Sequence, residues 1–256
     1  MPVIVATQHN DNQRTGANLQ ETALRVDNVN VGQFGKLLEF PVDGQVYGQP
    51  LYVPNAIGAR NVVYVATMHN SVYAFDADEP PGPPAPPPPL WSRNLGPSVP
   101  LPDSAIGGGA GYRDLQTEIG ILSTPVVSLP HNAIYAVAFT KETDGFHYRL
   151  HALDLQTGRE LFGGPRTIEA SADGSGAGSV NGRILFQSHQ QNQRPALLLS
   201  NGAIYVCFAS FGDHGDYHGW VLGYDAGTLA PLPDAANLTA QLPGRRNLAS
   251  GPRPGR

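Results

Sequence analysis

Apolar residues in this chain fall in short runs, not in long stripes. Each run is rich in Val, Ile, Leu and Tyr and is bounded by Gly, Asn, Pro or Asp. That pattern predicts short β-strands, because β-branched and aromatic side chains suit a pleated surface and turn residues end it. No segment sustains a helical period of about 3.6 over some eleven positions. At most one short helical turn is expected, within Leu19–Val31.

The runs recur as a unit. The first copy reads Gln49-Pro50-Leu51-Tyr52-Val53, then Asn61 to Thr67 around Tyr64, then Ser71-Val72-Tyr73-Ala74-Phe75-Asp76. The second reads Thr124-Pro125-Val126-Val127, then Asn132 to Val137 around Tyr135, then Tyr148 to Asp154. The third reads Arg194-Pro195 with Ala196 to Leu199, then Asn201 to Val206 around Tyr205, then Gly219 to Asp225. Tyr135 follows Tyr64 by 71 positions and Tyr205 follows Tyr135 by 70. Asp at the end of each third run is expected to cap a turn by accepting from nearby backbone N–H groups. A fourth strand is expected at Leu90-Trp91-Ser92 and at Glu160-Leu161-Phe162.

A sheet of four short strands cannot bury both faces alone, and radial stacking of such sheets solves that problem. The predicted fold is therefore all-β: a partial β-propeller of about three four-stranded antiparallel blades. The repeat exceeds the usual blade of about 40–50 residues. Loops supply the excess, notably Pro80–Pro89, Gly107–Gly111 and Ser171–Ser179. Blades are expected over about 36–100, 115–170 and 190–235 within a unit spanning 1–243, after an N-terminal segment 1–35. Residues 244–256, rich in Arg, Gly and Pro, read as a disordered or frameshifted tail. The coding DNA would distinguish these. Three blades leave open sheet faces, so an incomplete propeller and self-association are expected, with further blades of the same propeller as partners.

The residues Pro125-Val126-Val127, Asn132-Ala133-Ile134-Tyr135 and Leu150 to Leu161 resemble PQQ-like β-propeller repeats of bacterial quinoproteins. His9 to Asn18, Tyr73 to Asp78 and Tyr217 to Asp225 resemble bacterial, exported proteins with such repeats and no settled activity. The resemblance implies a bacterial protein located in the periplasm or secreted, although Met1–Thr7 lacks the pattern of a signal peptide. Quinoprotein alcohol dehydrogenases carry an adjacent-cysteine disulfide and a Ca²⁺ site of Glu, Asn and Asp. This chain has one cysteine, and no residue matches those ligands. No PQQ or other cofactor is therefore expected.

Composition narrows the function. Gly (30) and Pro (24) are abundant, while charged residues make up only 14%, which suits turns better than solvated helices. A net charge of −5 without a basic tract argues against nucleic acid. No apolar stretch reaches the roughly 18 residues of a membrane-spanning helix. Cys207, the single cysteine, is expected to be a small buried hydrophobe.

In such a blade, the loop after the second strand and the segment leading into the first emerge at the same end. That gathers His69, Asn70, Glu118, Lys141, His189, Arg194, Asp213, His214, Asp216 and His218 on one candidate binding face. Asp213, His214 and His218 carry the residue types a divalent metal takes, but their spacing fits no established motif. Glu118 is expected to pair with Arg113 or Arg194, His151 to be buried, and Trp91 and Trp220 to pack between blades. No nucleophile elbow or phosphate loop occurs. The leading expectation is a non-catalytic scaffold whose polar face binds a protein partner or a carbohydrate. The alternative is a quinone- or metal-dependent oxidoreductase-like enzyme using that same face.

Overall fold

In the computed structural model of the chain, which describes residues 3–79, 86–107, 109, 112–233 and 236–237, every regular element is a strand. The first blade comprises β1 (Leu51–Ile57), β2 (Arg60–Ala66), β3 (Ser71–Asp76) and β4 (Trp91–Asn94), antiparallel in that order. A hairpin of β5 (Val99–Pro100) and β6 (Glu118–Ile119) leads on. The second blade comprises β7 (Val126–Ser128), β8 (Ala133–Glu142), β9 (Gly145–Asp154) and β10 (Arg166–Thr167). A second hairpin, β11 (Ser171–Asp173) with β12 (Arg183–Leu185), precedes β13 (Gln191–Asn192). The third blade comprises β14 (Leu198–Ser200), β15 (Ala203–Ser210), β16 (Trp220–Asp225) and β17 (Ala236–Asn237), with β13 pairing the far end of β15. The fold is all-β, a partial β-propeller of three antiparallel blades. The prolines at 80–85, three positions of the Gly107 stretch and the tail 244–256 lie outside the described residues.

Registers make the repeat physical. Leu51 faces Tyr64, Val126 faces Tyr135 and Leu198 faces Tyr205 across the first two strands of successive blades. Tyr64 donates its hydroxyl to the Leu155 carbonyl at 2.9 Å, and Tyr135 donates to the Ala226 carbonyl at 2.6 Å. Both bonds span 91 residues, and both acceptors directly follow the third-strand Asp of the next blade. That Asp holds its turn as the sequence predicts. Asp154 accepts from the N–H and hydroxyl of Thr157, and Asp225 accepts from Gly227 N–H and the Thr228 hydroxyl. Burial drives both tyrosine hydroxyls up, Tyr135 to about 12.

Each junction buries one flank of each of two blades. Between the first and second lie Tyr64, Ala66, Val72 and Ala74 against Ile134, Ala136 and Leu153. Between the second and third lie Tyr135, Val137 and Leu150 against Ile204, Val206 and Leu222. The second junction also carries an aromatic ladder. Phe139 stacks on Tyr148 at 4.2 Å, Tyr148 meets Phe208 edge-on, and Phe208 meets Phe186 beside Trp220. Each buried side chain of this size contributes about 1.5–3 kcal/mol. Trp91 reaches Leu155 with its indole N–H, so both tryptophans pack between blades. Gly120 permits the closest backbone approach, because a Cβ there would lie 2.2 Å from the Met68 carbonyl oxygen.

The N-terminal segment fastens the inner edges of all three blades. Val5 pairs with Tyr52, the Ala6 carbonyl accepts from Val127 N–H, and Arg14 donates to the Leu197 carbonyl. This occupies polar groups that an inner strand would otherwise leave open. Thr124 joins the lead-in segments similarly: its hydroxyl accepts from Gln49 N–H and its carbonyl from Leu197 N–H.

Leu19–Val31 holds one short turn, with Val29 N–H donating to the Arg25 carbonyl, and no longer helix, within what the pattern allows. Three details depart from the sequence pattern. Leu197, not Pro195, stands where Pro50 and Pro125 stand, because its N–H is needed by Thr124 and proline has none. The fourth strand of the second blade is Arg166–Thr167, and the run at Glu160 makes only an isolated bridge to Leu153. Cys207 is partly exposed on the outer flank of the third blade, not in the core.

The two hydroxyl bonds differ in one respect. The Leu155 carbonyl keeps the Trp91 indole as a second donor, whereas Ala226 has no other side-chain donor among the described residues. Tyr135→Phe is therefore expected to cost about 1–3 kcal/mol and Tyr64→Phe under about 1 kcal/mol. Urea denaturation followed by far-UV circular dichroism checks the ordering.

Candidate functional site

The loop after β2, the turn between β8 and β9, the loop after β15 and the lead-in segments all emerge at one end of the blades. The tightest polar cluster there is built on His69. Its Nδ1 lies 2.9 and 3.2 Å from the two oxygens of Glu118, which also accepts from the Ser98 hydroxyl. Glu118 thus pairs with His69 rather than with Arg113 or Arg194. The His69 backbone is fixed from several sides. Asn94 donates to its carbonyl, Met68 N–H donates to the Gln45 carbonyl, and Asp43 accepts from Thr67 and Ser71. Gly44 has φ +61°, and a Cβ there would lie 2.9 Å from His69 N.

This geometry has a chemical consequence. A nucleophile triad needs the hydroxyl on the imidazole, so that the base can take its proton. Here Ser98 bonds the carboxylate, and the carboxylate holds Nδ1–H. The half-exposed imidazole is left with Nε2, a group suited to bonding a ligand hydroxyl or amide.

Beside Glu118, the β5–β6 hairpin shapes a cleft of about 280 Å³ lined by Leu101, Pro102, Tyr112, Arg113, Gln116 and Thr117. Ligand pockets usually run to about 300–1,000 Å³, so this one suits a small polar group. Burial and nearby Asp114 push the Tyr112 hydroxyl up to about 12, against the pull of the Arg194 charge.

The other candidate residues occupy separate stations. Lys141 bonds Asp103 and lies 5.4 Å from the Phe146 ring centroid. His189 meets the same ring at 6.3 Å, and burial lowers its pKa. Arg194 is exposed. Asn70 is fully buried and leaves the binding face: it donates to the Phe139 and Gly96 carbonyls, clipping blade to blade. Asp213 accepts from Ser210, His214 lies beside Gly212, Asp216 lies beside Gly178, and buried His218 bonds the Ala177 carbonyl. His151 is buried, with Nδ1 on Glu160 of its own blade.

Among the described residues, the group whose ligand atoms come within 4.8 Å is Glu142, Asp144 and His147, not Asp213, His214 and His218. Arg149 already holds Glu142 in a bidentate pair, with Nη2 2.7 Å from both oxygens. A cation thus stands where a metal would need that carboxylate free. Asp43, Ser98 and Asp103 belong to the face and escaped the sequence reading, since they sit in connecting loops without a repeat. The repeat distance between blades could have drawn attention to Ser98, because the loop after the fourth strand must cross to the next blade.

No protein-family profile matches the chain, and no curated protein does. Among solved structures, the quinohemoprotein alcohol dehydrogenase ADHIIG from Pseudomonas putida HK5 is 17% identical over 76% of this chain, with a TM-score of 0.41. A europium-containing methanol dehydrogenase is 16% identical over 77%, with a TM-score of 0.40. BamB from Moraxella catarrhalis is 14% identical over 74%, with a TM-score of 0.35. The chain spans 21%, 26% and 52% of those chains. Likeness at this level carries no residue role or activity across.

Asp103 supplies a test of how the face is held. Burial opposes its charge, but hydrogen bonds from Lys141 and Ala105 N–H outweigh that and hold its pKa below the ordinary value. Its stabilising effect is present above about pH 4, the unfolded value, and is lost as pH falls through the lower folded value. Lys141→Met removes the cation and leaves the carboxylate, whose side chain is 8% exposed, with one donor fewer. We expect a loss of about 1–3 kcal/mol at neutral pH and an acid-unfolding midpoint moved to higher pH, read by tryptophan fluorescence.

Proposed function

We propose that the chain is a non-catalytic scaffold whose polar loop face binds a partner, with carbohydrate as the ligand class that best matches its donors and acceptors. The observation that carries this is the mutual pairing of the charged groups across the face. His69 is on Glu118, Lys141 on Asp103, His147 on Asp144 and Arg149 on Glu142. Paired groups offer fixed hydrogen-bonding positions, and His69, held at Nδ1 by Glu118, presents its Nε2 to a ligand hydroxyl or amide. The cleft beside Glu118 adds a tyrosine ring, an arginine, an amide and a hydroxyl, a mixture that suits sugar hydroxyls over an apolar ligand. With the repeat resemblance, the reading extends to a periplasmic or secreted location.

Glycan-array screening followed by calorimetry on the best ligand tests it. Glu118→Gln and Gln116→Ala are each expected to weaken binding by about five- to thirtyfold, the equivalent of about 1–2 kcal/mol per hydrogen bond lost. Absence of any glycan or protein ligand, together with dye-linked oxidation of an alcohol by the same preparation, would overturn the reading in favour of an oxidoreductase.

A further inference from the structure

The second junction carries a polar group that the repeat does not call for. Across the second and third strands of successive blades, Val63 faces Phe75, Ile134 faces Leu153 and Ile204 faces Tyr224. Phe75 and Leu153 are fully buried and apolar. Tyr224 is only 2% exposed and adds a hydroxyl at that position. Tyr64, Tyr135 and Tyr148 each donate their hydroxyl to a backbone carbonyl. The Tyr224 hydroxyl has no hydrogen-bond partner among the described residues. Buried polar groups are nearly always met, so an unmet one marks a place where something outside the chain bonds it.

Tyr224 lines a cleft of about 420 Å³ at the outer rim of this junction, together with Pro165, Arg166, Thr167, Glu169 and Pro231. That volume lies within the roughly 300–1,000 Å³ common for ligand pockets. Arg166 and Glu169 are exposed, and neither side chain forms a hydrogen bond or ion pair among the described residues. Both charges act on the tyrosine. Burial pushes its hydroxyl up to about 12, Arg166 pulls against that and Glu169 adds to it. Thr167 is already engaged, its hydroxyl accepting from Arg149 at 2.6 Å. The lining residues belong to the outer edge of the second blade and to the third blade, so the cleft is a feature of an internal junction. The chain leaves it at Pro231, and Leu232 lies over Gly223 on the other flank of the third blade.

We propose that this cleft binds a small zwitterion, an α-amino acid or a dipeptide, with its carboxylate on Arg166 and the Tyr224 hydroxyl and its ammonium on Glu169. A guanidinium offers a carboxylate two parallel N–H donors, and a hydroxyl that stays protonated at neutral pH supplies a third. An uncharged sugar would leave both charges unmatched, an anion alone would face Glu169, and a cation alone would face Arg166. Pro165 and Pro231 give the ligand's side chain apolar walls. The site lies at the other end of the strands from the loop face. Tyr224 pairs with Ile204 at the start of β15, whereas the loop face follows Ser210 at its end. Its outcome is therefore separate from that of ligand binding on that face.

Calorimetric titration of the wild-type chain with leucine and with glycyl-leucine tests it. At least one is expected to bind at millimolar concentration, and the tighter of the two tells a free amino acid from a peptide as the source. The N-acetylated form of that probe lacks the ammonium and the amidated form lacks the carboxylate. Each is expected to bind about tenfold more weakly or worse. Arg166→Gln, Glu169→Gln and Tyr224→Phe are each expected to weaken the zwitterion by about tenfold. Arg166→Gln is further expected to abolish the preference over the amide, and Glu169→Gln the preference over the N-acetyl form. Arg166 and Glu169 are exposed, and Tyr224→Phe keeps the ring, as Phe75 does in the first blade; an unchanged circular dichroism spectrum confirms that each variant folds. Failure of both probes to bind the wild-type chain overturns the proposal. Binding indifferent to all three variants, or N-acetyl and amide forms as tight as the zwitterion, does so equally.

Discussion

A four-stranded sheet has two apolar flanks, and in this fold each must be closed by the flank of another sheet. The closure is apolar burial registered by one polar contact, the tyrosine hydroxyl on the carbonyl that follows the next blade's third strand. Burial sets the energy, since each junction removes several Val, Ile, Leu and aromatic side chains from water. The hydroxyl bond sets the register, because a carbonyl hidden between sheets is costly unless a donor meets it. Tyr64 and Tyr135, 71 positions apart, hold the same place because each hydroxyl must meet that carbonyl at its junction. The third-strand Asp obeys the same constraint, since its turn presents that carbonyl.

The loop face follows from this constraint. Once the blades are registered, their antiparallel topology brings second-strand loops and lead-in segments to one end. Two of the pairs there join separate elements, while His147 on Asp144 and Arg149 on Glu142 lie within the second-blade hairpin. Glu118 of the second-blade lead-in bonds His69 of the first blade, and Lys141 of the second blade bonds Asp103 of the connecting loop. Asn70 performs the same joining from below, bonding the carbonyls of Phe139 and Gly96. A surface assembled by cross-blade pairs is stiff where it is paired. Pairing of that kind holds the hydrogen-bonding groups of the face at fixed positions.

What the sequence made legible follows the same division. Tyr64, Tyr135, Asp154 and Asp225 were readable because identical backbone environments demand identical side chains, and the demand recurs down the chain. The gathering of His69 with Glu118 was readable from topology alone. The choice of partner was not, because Arg113, Arg194 and His69 are all compatible with a carboxylate until the β5–β6 hairpin is placed. Asn70 looked like a surface amide because it sits in a loop beside a histidine. Only the crossing of residues 95–98 toward the second blade buries it. The proline of the third copy misled by two positions, since a Pro-apolar pattern says nothing about which N–H a neighbouring threonine requires. Cys207 reads as core from its apolar surroundings, yet strand alternation turns it to the outer flank.

The junctions share their hydroxyl bond but not their packing, and the difference bears on which flanks fit together. The first is shallow, with Ala66 and Ala74 beside Tyr64, and accepts Ile134, Ala136 and Leu153 closely. The second is filled by Phe139, Tyr148, Phe208 and Trp220. Interior surfaces tolerate neither gaps nor excess volume, so exchanging one flank for another would cost about 1–3 kcal/mol for each misfit. The outer flank of the third blade, with Cys207 and Gly223 beside Tyr205, is shallow like the first junction and unlike the second. Blade order is thus encoded in side-chain volume, while the tyrosine and its carbonyl encode only that one blade follows another.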